Sequence, residues 1–269
     1  MAKTTQNPRV REIHWGGLTW RTAMECDRPI SPGRPWYYFD GSQVLLDMSG
    51  IIHLSISRYP RTINWFDSKW DKKVDYHPTI ACGMIRSVET VPVNSVIECE
   101  VKMPKGVNLW PSFWMTACDA WPPEIDIFEG YTNRKGSYKD GIGLHRTFPF
   151  IYREIRMESN VHYKGASEEH LWAGAQALNR KYLKMPLEDN WNHFKCEWRE
   201  DSIRFYTNGK LTRTITDEFI LKKMKTQGMW VIFNIWPNDR FNLEEDGDIT
   251  AFERHYSIRN FKITSIQES

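Results

Sequence analysis

Short runs in which apolar and polar residues alternate dominate this chain. Residues 95–103 show the pattern most clearly, with Ile97, Cys99 and Val101 on one side and Glu98 and Glu100 on the other. A period of two is typical of a β-strand with one buried face and one solvated face. Similar β-rich runs predict further strands over 44–47, 51–57, 81–87, 109–116, 124–129, 193–199, 203–207, 210–216, 228–236 and 256–265.

Turn residues separate these runs. Asn208-Gly209 is the strongest hairpin signal, and residues 48–50 predict a second hairpin. One short helix is predicted over 217–225, because Glu218 lies early and lysines lie late, as the helix dipole favours. The polar stretches 59–79, 130–160 and 164–190 are interpreted as loops over a binding face. About a dozen short strands with so little helix predict an all-β sandwich or jelly roll.

Composition and charge narrow the class of protein. Hydrophobic residues make up 41% and charged residues 26%, which excludes a disordered or membrane composition. The net charge of +2 is spread along the chain, so no nucleic-acid partner is expected. We predict one domain over residues 1–269, with 1–12 as a flexible N-terminal extension, acting as a monomer.

The compartment stays open at this level. The first residues lack an apolar signal segment, and no run reaches the roughly eighteen apolar residues of a membrane span. Cytoplasmic action, release by lysis, association with a virion or removal of a signal all fit this sequence. Five cysteines without CxxC spacing predict buried free thiols rather than a zinc site or a disulfide framework.

Tryptophan is unusually frequent, at 13 residues. Its flat apolar face and N–H group suit half-buried positions that contact a ligand. Sugar rings present flat C–H faces, so a Trp-rich cleft would suit a carbohydrate. The alternative is that these aromatic residues fill the core, which is the ordinary explanation for most of the phenylalanines.

The acidic segment 124–129 is the most informative part of the sequence. Alternation along a strand places Glu124 and Asp126 on one face, but it turns Glu129 to the other. A bulge of one residue at 127–128 would return Glu129 to the acidic face and leave Phe128 for the core. The sequence therefore predicts three carboxylates in one groove.

Two interpretations compete for this cluster. Charged residues commonly blunt an exposed edge strand against aggregation. Alternatively, glycoside hydrolysis uses two carboxyl groups, one ionised as nucleophile and one protonated as general acid, about 5–5.5 Å apart in retaining enzymes. Trp110, Trp114 and Trp121 flank the acids in sequence and favour the second interpretation.

At these residues the chain resembles glycoside hydrolase family 16, which includes laminarinases, lichenases, agarases, carrageenases and exopolysaccharide depolymerases. The core of the resemblance is MPKG at 103–106, LWPSFWM at 109–115 and PEIDIFE at 123–129. Weaker matches follow in the same order at 83–87, 192–198, 205–210 and 234–236, so that the resemblance covers roughly residues 35–265. It implies a concanavalin-like jelly roll of two curved antiparallel sheets, with the acids on the concave sheet.

The resemblance also implies roles for the acids. Glu124 corresponds to the nucleophile and Glu129 to the acid/base, while Asp126 resembles the middle acid that hydrogen-bonds the nucleophile. The bulged spacing is that of the laminarinase, agarase and carrageenase side of the family. Lichenases and plant xyloglucan enzymes have one residue fewer between the acids.

Further residues are candidates for contacts with the sugar. Trp110, Trp114, Trp121 and Trp236 are candidate platforms, with core packing as the alternative, most of all for Trp114. By resemblance, Arg86 and Asn234 would hydrogen-bond hydroxyl groups, and His162 would lie near the acid/base; His145 is the competing histidine. We expect Asn64 to lie in a loop that caps one end of the cleft.

No cofactor is expected. Some family members hold a structural calcium through an acid in the last strand, but residues 255–259 of this chain offer no carboxylate, which makes calcium doubtful. The expected partner is a polysaccharide with β-linkages: a β-1,3-glucan first, then a bacterial exopolysaccharide or an algal galactan. A binding protein that lacks catalysis and a transglycosylase are the alternatives.

Basic residues in the predicted loops raise the further option of an anionic or sulfated glycan. The ordinary interpretation is solvated loop charge. The residues concerned are Arg134, Lys135, Lys139, Arg146, Arg153, Arg156 and Lys164.

Overall fold

Almost all regular structure in the protein is β-strand, as the alternation predicts. The computed structural model describes residues 10–24, 37–39, 41–67, 72–105, 109–132, 155–174, 176–178, 180–237 and 255–267. The strands are β1 (Glu12–Trp15), β2 (Leu18–Arg21), β3 (Tyr37–Tyr38), β4 (Val44–Leu46), β5 (Ile52–Leu54), β6 (Ile56–Arg58), β7 (Ile63–Asp67), β8 (Lys72–Tyr76), β9 (Ile80–Cys82), β10 (Met84–Ser87), β11 (Ser95–Lys102), β12 (Leu109–Ala117), β13 (Glu124–Thr132), β14 (Ile155–Lys164), β15 (His170–Trp172), β16 (Gln176–Ala177), β17 (Asn192–Trp198), β18 (Ile203–Thr207), β19 (Lys210–Ile215), β20 (Met229–Pro237) and β21 (Tyr256–Ser265).

Two antiparallel sheets form a jelly-roll sandwich, which confirms the predicted fold class. The nine-stranded sheet has the order β1-β2-β10-β20-β12-β13-β14-β15, and β16 also pairs with β14. The seven-stranded sheet has the order β19-β18-β17-β11-β21-β5-β4. A three-stranded sheet, β3-β9-β6, and the hairpin of β7 with β8 complete the strand pairing of the described residues.

The helical content is small. Helix α1 (Glu218–Lys223) begins after Asp217, whose carboxylate accepts a hydrogen bond from the Ile220 amide at 3.0 Å. A 3₁₀ turn covers Arg180–Tyr182. In the described part of the chain, neither helix has the length and apolar character needed to cross a membrane.

The core lies between the two sheets and is filled by the apolar side of each strand. Along β11, Ile97, Cys99 and Val101 are buried while Glu98 and Glu100 are partly exposed, as the alternation predicts. Aromatic rings connect the sheets: Phe128 of β13 packs against Phe194 of β17 with centroids 4.5 Å apart. The four described cysteines carry free thiols, and the three on strands β9, β11 and β17 are buried.

Strand β13 contains the predicted bulge. Its pairing with β12 runs from Phe113 opposite Phe128 directly to Trp114 opposite Asp126, so Ile127 is the extra residue. Its pairing with β14 shifts at the same place, between Asp126 and Glu129. Ile127 and Phe128 are consecutive and both buried. The extra residue shifts the alternation by one, so Glu129 lies on the face that carries Glu124 and Asp126.

Several loop predictions were wrong in part. Residues 155–160 belong to β14 rather than to a loop, and 59–79 contains the β7–β8 hairpin. The stretch 164–190 contains β15, β16 and the 3₁₀ turn. Strand β15 was missed because it is short and offers little alternation.

The N-terminal boundary also needs a correction. Glu12 was assigned to a flexible extension, but it pairs with Arg21 at the edge of the nine-stranded sheet. Residues 1–9 lie outside the described residues, so for them the extension stays a prediction, as does the single domain over 1–269.

The bulge can be tested through its buried aromatic residue. We expect Phe128→Ala to lower the free energy of unfolding by about 3–5 kcal/mol, the usual cost of removing a buried Phe side chain. The matched control is Phe219→Ala, because Phe219 is 45% exposed; it should cost less than about 1 kcal/mol. Chemical denaturation followed by circular dichroism measures both, and equal losses would show that Phe128 does not anchor the bulge.

Candidate active site

A cavity of about 720 Å³ lies on the outer face of the nine-stranded sheet. Its lining comes from six adjacent strands in the order β10, β20, β12, β13, β14 and β15. At about 4.8 Å between neighbouring strands, the floor is about 24 Å wide. The three predicted acids, Glu124, Asp126 and Glu129, lie at its centre on β13.

Tryptophan N–H groups hold the two outer acids. Trp121 donates from Nε1 to Oε2 of Glu124 at 2.9 Å, and Trp110 donates from Nε1 to Oε1 of Glu129 at 3.0 Å. Asp126 lies between them and is only 2% exposed. Each outer carboxyl group is thereby fixed by one rigid side chain that also borders the cavity.

His162 lies beside the inner part of this cluster. Its Nε2 atom is 3.1 Å from Oδ2 of Asp126 and 3.6 Å from Oε1 of Glu124. Its Nδ1 atom is 2.8 Å from Nε2 of His170, an exposed residue of β15. The expected position near the acid/base is therefore corrected, because His162 is paired across the strands with Glu124, not with Glu129. His145 lies outside the described residues.

Burial and mutual repulsion raise the pKa values of all three acids. Desolvation and the neighbouring Asp126 charge raise the pKa of Glu124 to about 8, against the lowering effects of His162 and the Trp121 hydrogen bond. Desolvation and the Glu158 charge raise the pKa of Asp126, while Arg213 lowers it.

The surroundings of Glu129 also disfavour a negative charge. Burial raises its pKa well above the usual range, and the charges of Asp126, Glu124 and Glu158 add to the effect. His162 gives the weakest contribution, in the lowering direction.

The predicted tryptophans all border the cavity. Trp236 packs edge-on against Trp110 with centroids 5.8 Å apart, and Trp121 is 53% exposed. Trp114 is only 9% exposed and donates to Oδ1 of Asn234 at 2.6 Å. Trp110, Trp121 and Trp236 thus offer surface to a ligand, whereas Trp114 also packs in the core.

Arg86 and Asn234, the two predicted polar residues, lie on β10 and β20, at the end of the cavity floor opposite β15. Asn234 is fully buried on β20, where it accepts the hydrogen bond from Trp114. The guanidinium of Arg86 lies over the ring of Trp230 at 4.5 Å and donates to the Ser87 carbonyl at 3.0 Å. Both border the cavity, so the structure brings them together with the acids.

Asn64 does not belong to this site. It lies on β7 rather than in a loop, and its amide donates a short hydrogen bond to Asp75 on β8. It does not border the cavity formed by the described residues. The prediction failed because Asn64 lies in a polar stretch whose hairpin was not recognised.

Several residues of the cavity were missed by the sequence analysis. Glu158 and Asn160 extend from β14 on the same face as His162, and Trp172 extends from β15. Alternation at 158, 160 and 162 would have revealed the first two if β14 had been extended towards its start. The stretch was instead assigned to a loop.

The same cluster also meets a geometric requirement for metal binding. One ligand atom each from Glu124, Asp126 and His162 lies within 4.8 Å of the others. Two carboxylates and an imidazole are ordinary ligands for several divalent metals. The expectations that no cofactor is needed and that structural calcium is doubtful stay predictions.

Comparison with known proteins identifies the class. The family model described as "Glycosyl hydrolases family 16" matches residues 54–255. The chain therefore belongs to glycosyl hydrolase family 16. The bulged strand, its three acids and the residues that hold them all fall within the matched range.

Two characterised relatives match shorter stretches. The galactan endo-beta-1,3-galactanase of Flammulina velutipes is 40% identical over 53 residues, which is 18% of this chain and 21% of the relative. The Beta-glucanase of Brevibacillus brevis is 29% identical over 90 residues, which is 30% of this chain and 33% of the relative. The matched parts thus span a third or less of either relative.

Solved structures support the fold. Porphyranase B of Zobellia galactanivorans superposes with a TM-score of 0.62 at 16% identity, covering 95% of this chain and 89% of that one. The laminarinase catalytic domain of Thermotoga petrophila gives 0.53 at 15% identity, covering 85% and 81%. At these identities the likeness establishes the jelly roll alone.

The raised pKa values predict a pH-dependent stability. Between about pH 4.5 and 8 the folded protein holds protons on these acids that the unfolded chain has lost, so stability should fall as pH rises. Glu124→Gln removes one of these groups and should unfold at a higher temperature than the wild type near pH 8 but not near pH 4. Thermal unfolding at about pH 4, 6 and 8 measures the difference.

The control for this prediction has the opposite sign. Despite partial burial, hydrogen bonds from Asn260 and Arg259 lower the pKa of Glu100. Glu100→Gln should therefore destabilise the protein near pH 8 and have less effect near pH 4. Identical pH profiles for the two variants would contradict the account of the acid cluster.

Proposed function

We propose that this protein is a retaining endo-glycosidase that hydrolyses internal β-linkages of a polysaccharide. The observation that carries the proposal is the bulge at Ile127, because it gathers Glu124, Asp126 and Glu129 on one face of β13 within a wide cleft. Two carboxyl groups flanking a sugar linkage are the usual machinery of glycoside hydrolysis.

The different surroundings of the acids support their roles. Glu124 accepts a hydrogen bond from Trp121 and lies near His162, and both favour its charged form. Burial raises the pKa of Glu129 well above its usual range, and the charges of Asp126, Glu124 and Glu158 add to this, which favours its protonated form. In this scheme Glu124 attacks the anomeric carbon while Glu129 protonates the departing oxygen, and the Glu129 carboxylate then removes a proton from the attacking water.

A protonated Asp126 would stabilise the Glu124 carboxylate when Glu124 departs from the sugar, because it would donate its proton in a hydrogen bond to that carboxylate. In this scheme the two carboxyl groups share one proton; an oxygen of each lies within 4.8 Å of the other, and each group shifts the pKa of its neighbour. Arg213 provides positive charge near Asp126, and Nε2 of His162 lies 3.1 Å from its Oδ2 atom. As the glycosyl–enzyme bond forms and breaks, the shared proton can follow the negative charge.

The shape of the cleft supports internal cleavage. A floor about 24 Å wide across six strands has room for several sugar rings on both sides of the acids. Trp236 and Trp110 border one side, while Trp121 and Trp172 border the other. Such an arrangement would hold a chain that continues in both directions.

The identity of the sugar and of the linkage that is cleaved has weaker support than the reaction itself. One relative named above is a β-1,3-galactanase and the other is named for β-glucan, which supports a galactan or a β-glucan as the substrate. A β-1,3-glucan stays the first candidate from the sequence resemblance, with a bacterial exopolysaccharide or an algal galactan next. Lys164 is paired with Glu168 at 3.0 Å, and the other basic loop residues lie outside the described side chains.

Substitution of the two glutamates tests the roles. Glu124→Gln should abolish turnover, and Glu129→Gln should lower kcat by about 10²–10⁴-fold, the typical contribution of a general acid. Both variants should keep their circular dichroism spectrum and should still bind oligosaccharides. Near-normal turnover in either variant would contradict the assignment.

Azide rescue tests the mechanism separately. Glu129→Ala removes the acid/base but leaves the nucleophile, so azide should restore turnover of an activated substrate and give a β-glycosyl azide. Rescue of a Glu124→Ala variant instead would exchange the roles of the two glutamates. An α-glycosyl azide formed by Glu129→Ala would exclude a retaining mechanism.

A polysaccharide panel identifies the substrate. Laminarin, mixed-linkage glucan, agarose, porphyran, carrageenan and bacterial exopolysaccharides are incubated with the protein, and product sizes are measured. A ladder of oligosaccharides from one of them is expected. When a short oligosaccharide of the cleaved polysaccharide is then given to the protein, products longer than that oligosaccharide would indicate transglycosylation. Binding of a polysaccharide without any cleavage would favour a protein that only binds glycans.

A further inference from the structure

Two exposed tryptophans lie at one end of the candidate cleft. Trp121 is 53% exposed and Trp172 is 59% exposed, although both border the cavity. Neither belongs to the hydrophobic core of the described residues. Large apolar side chains scattered singly over a surface need no explanation, but several of them together beside a cavity are typical of a binding site.

A histidine connects the two rings. The ring of His170 lies 4.6 Å from that of Trp121 and 6.0 Å from that of Trp172, measured between centroids. His170 and Trp172 lie two residues apart on β15, so both extend from the same face of this strand. Trp121, His170 and Trp172 therefore form a continuous aromatic surface, called the rim platform below.

The strand register gives the distance between this platform and the acids. Trp172 pairs with His162 of β14, and His162 pairs with Glu124 of β13. Residues paired across antiparallel strands share one face of the sheet. Two strand spacings of about 4.8 Å place the backbone of Trp172 about 10 Å from that of Glu124. A sugar over Trp172 is therefore not the ring attacked by Glu124 but one further along the same chain.

The other end of this row of paired residues is different. Beyond Glu124 the register continues to Thr116 of β12 and then to Trp230 of β20. The guanidinium of Arg86 lies over the ring of Trp230 at 4.5 Å, so one face of that ring is already covered. Among the described residues of the row, the exposed aromatic surface thus lies at the β15 end.

We propose that the rim platform is a distal subsite, in which Trp172 packs against a sugar ring of the polysaccharide beyond the ring that is cleaved. The proposal rests on the function proposed above and identifies where its substrate is held. The flat apolar face of an indole ring matches the C–H face of a pyranose, and its N–H group suits a position at the edge of a wet cleft. Binding energy from a sugar remote from the cleaved bond contributes to kcat/KM.

The variant Trp172→Ala tests the subsite on the polysaccharide that the protein cleaves. We expect kcat/KM to fall by about tenfold or more, since burial of an aromatic side chain against a ligand contributes about that much. The loss should be smaller on a short activated glycoside, which does not reach the platform. Trp172→Tyr keeps a flat ring and should recover most of the activity.

The control is Leu211→Ala, because Leu211 is 52% exposed on β19 and does not border the cavity formed by the described residues. It should leave kcat/KM unchanged on both substrates. Circular dichroism and Tm should match the wild type in all three variants, since the altered side chains are exposed. An unchanged kcat/KM in Trp172→Ala, or an equal loss on the long and the short substrate, would overturn the proposal.

Binding without turnover separates the subsite from the proposed function. Glu124→Gln, alone and combined with Trp172→Ala, is run in native gels that contain each polysaccharide of the panel. A bound polysaccharide should retard the single variant clearly and the double variant much less. Equal retardation would overturn the subsite, and so would the absence of any retardation. If a polysaccharide retards the wild type but is not cleaved, the proposed function fails, while the comparison of the two variants still decides the subsite.

Discussion

The extra residue in β13 is the constraint on which the rest of the site depends. Without it, the period of two would turn Glu129 into the core and Phe128 towards solvent. With Ile127 inserted, Phe128 packs against Phe194 of the opposite sheet and Glu129 joins Glu124 and Asp126. The stability of the sandwich and the geometry of the acids are thus set by the same irregularity, because the ring that anchors the bulge is also part of the core.

The acid cluster has a cost that the surrounding fold must offset. Several carboxyl groups that share a buried surface cannot all be ionised, so their protons are held to higher pH than in free glutamate or aspartate. Trp110 and Trp121 fix the outer acids by single hydrogen bonds, and Arg213 reaches from the other sheet to the carbonyls of Ser159 and Ala173. These mostly neutral side chains hold the acids close together. In such a cluster one carboxyl group is ionised while its neighbour keeps a proton, as acid–base catalysis requires.

The bulge, the three acids and most of the strands could be predicted because alternation is a local signal. Ile97, Cys99 and Val101 show it plainly, and the break in alternation between Asp126 and Glu129 pointed to the inserted residue. What failed depended on contacts between distant parts of the chain. Glu158 was missed because β14 is recognised as a strand mainly through its pairing with β13 and β15. Asn64 was misplaced because its hairpin partner, Asp75, lies in a stretch without clear alternation.

In the proposed mechanism, Glu124 and Glu129 act in succession on the same sugar, with a covalent intermediate on Glu124. The configuration of the first product formed tests it most directly. Proton NMR during the first minutes of cleavage should show the β-anomer of the new reducing end accumulating before mutarotation produces the α-anomer. Initial accumulation of the α-anomer would show that water attacks directly, and it would contradict the roles assigned to these two acids.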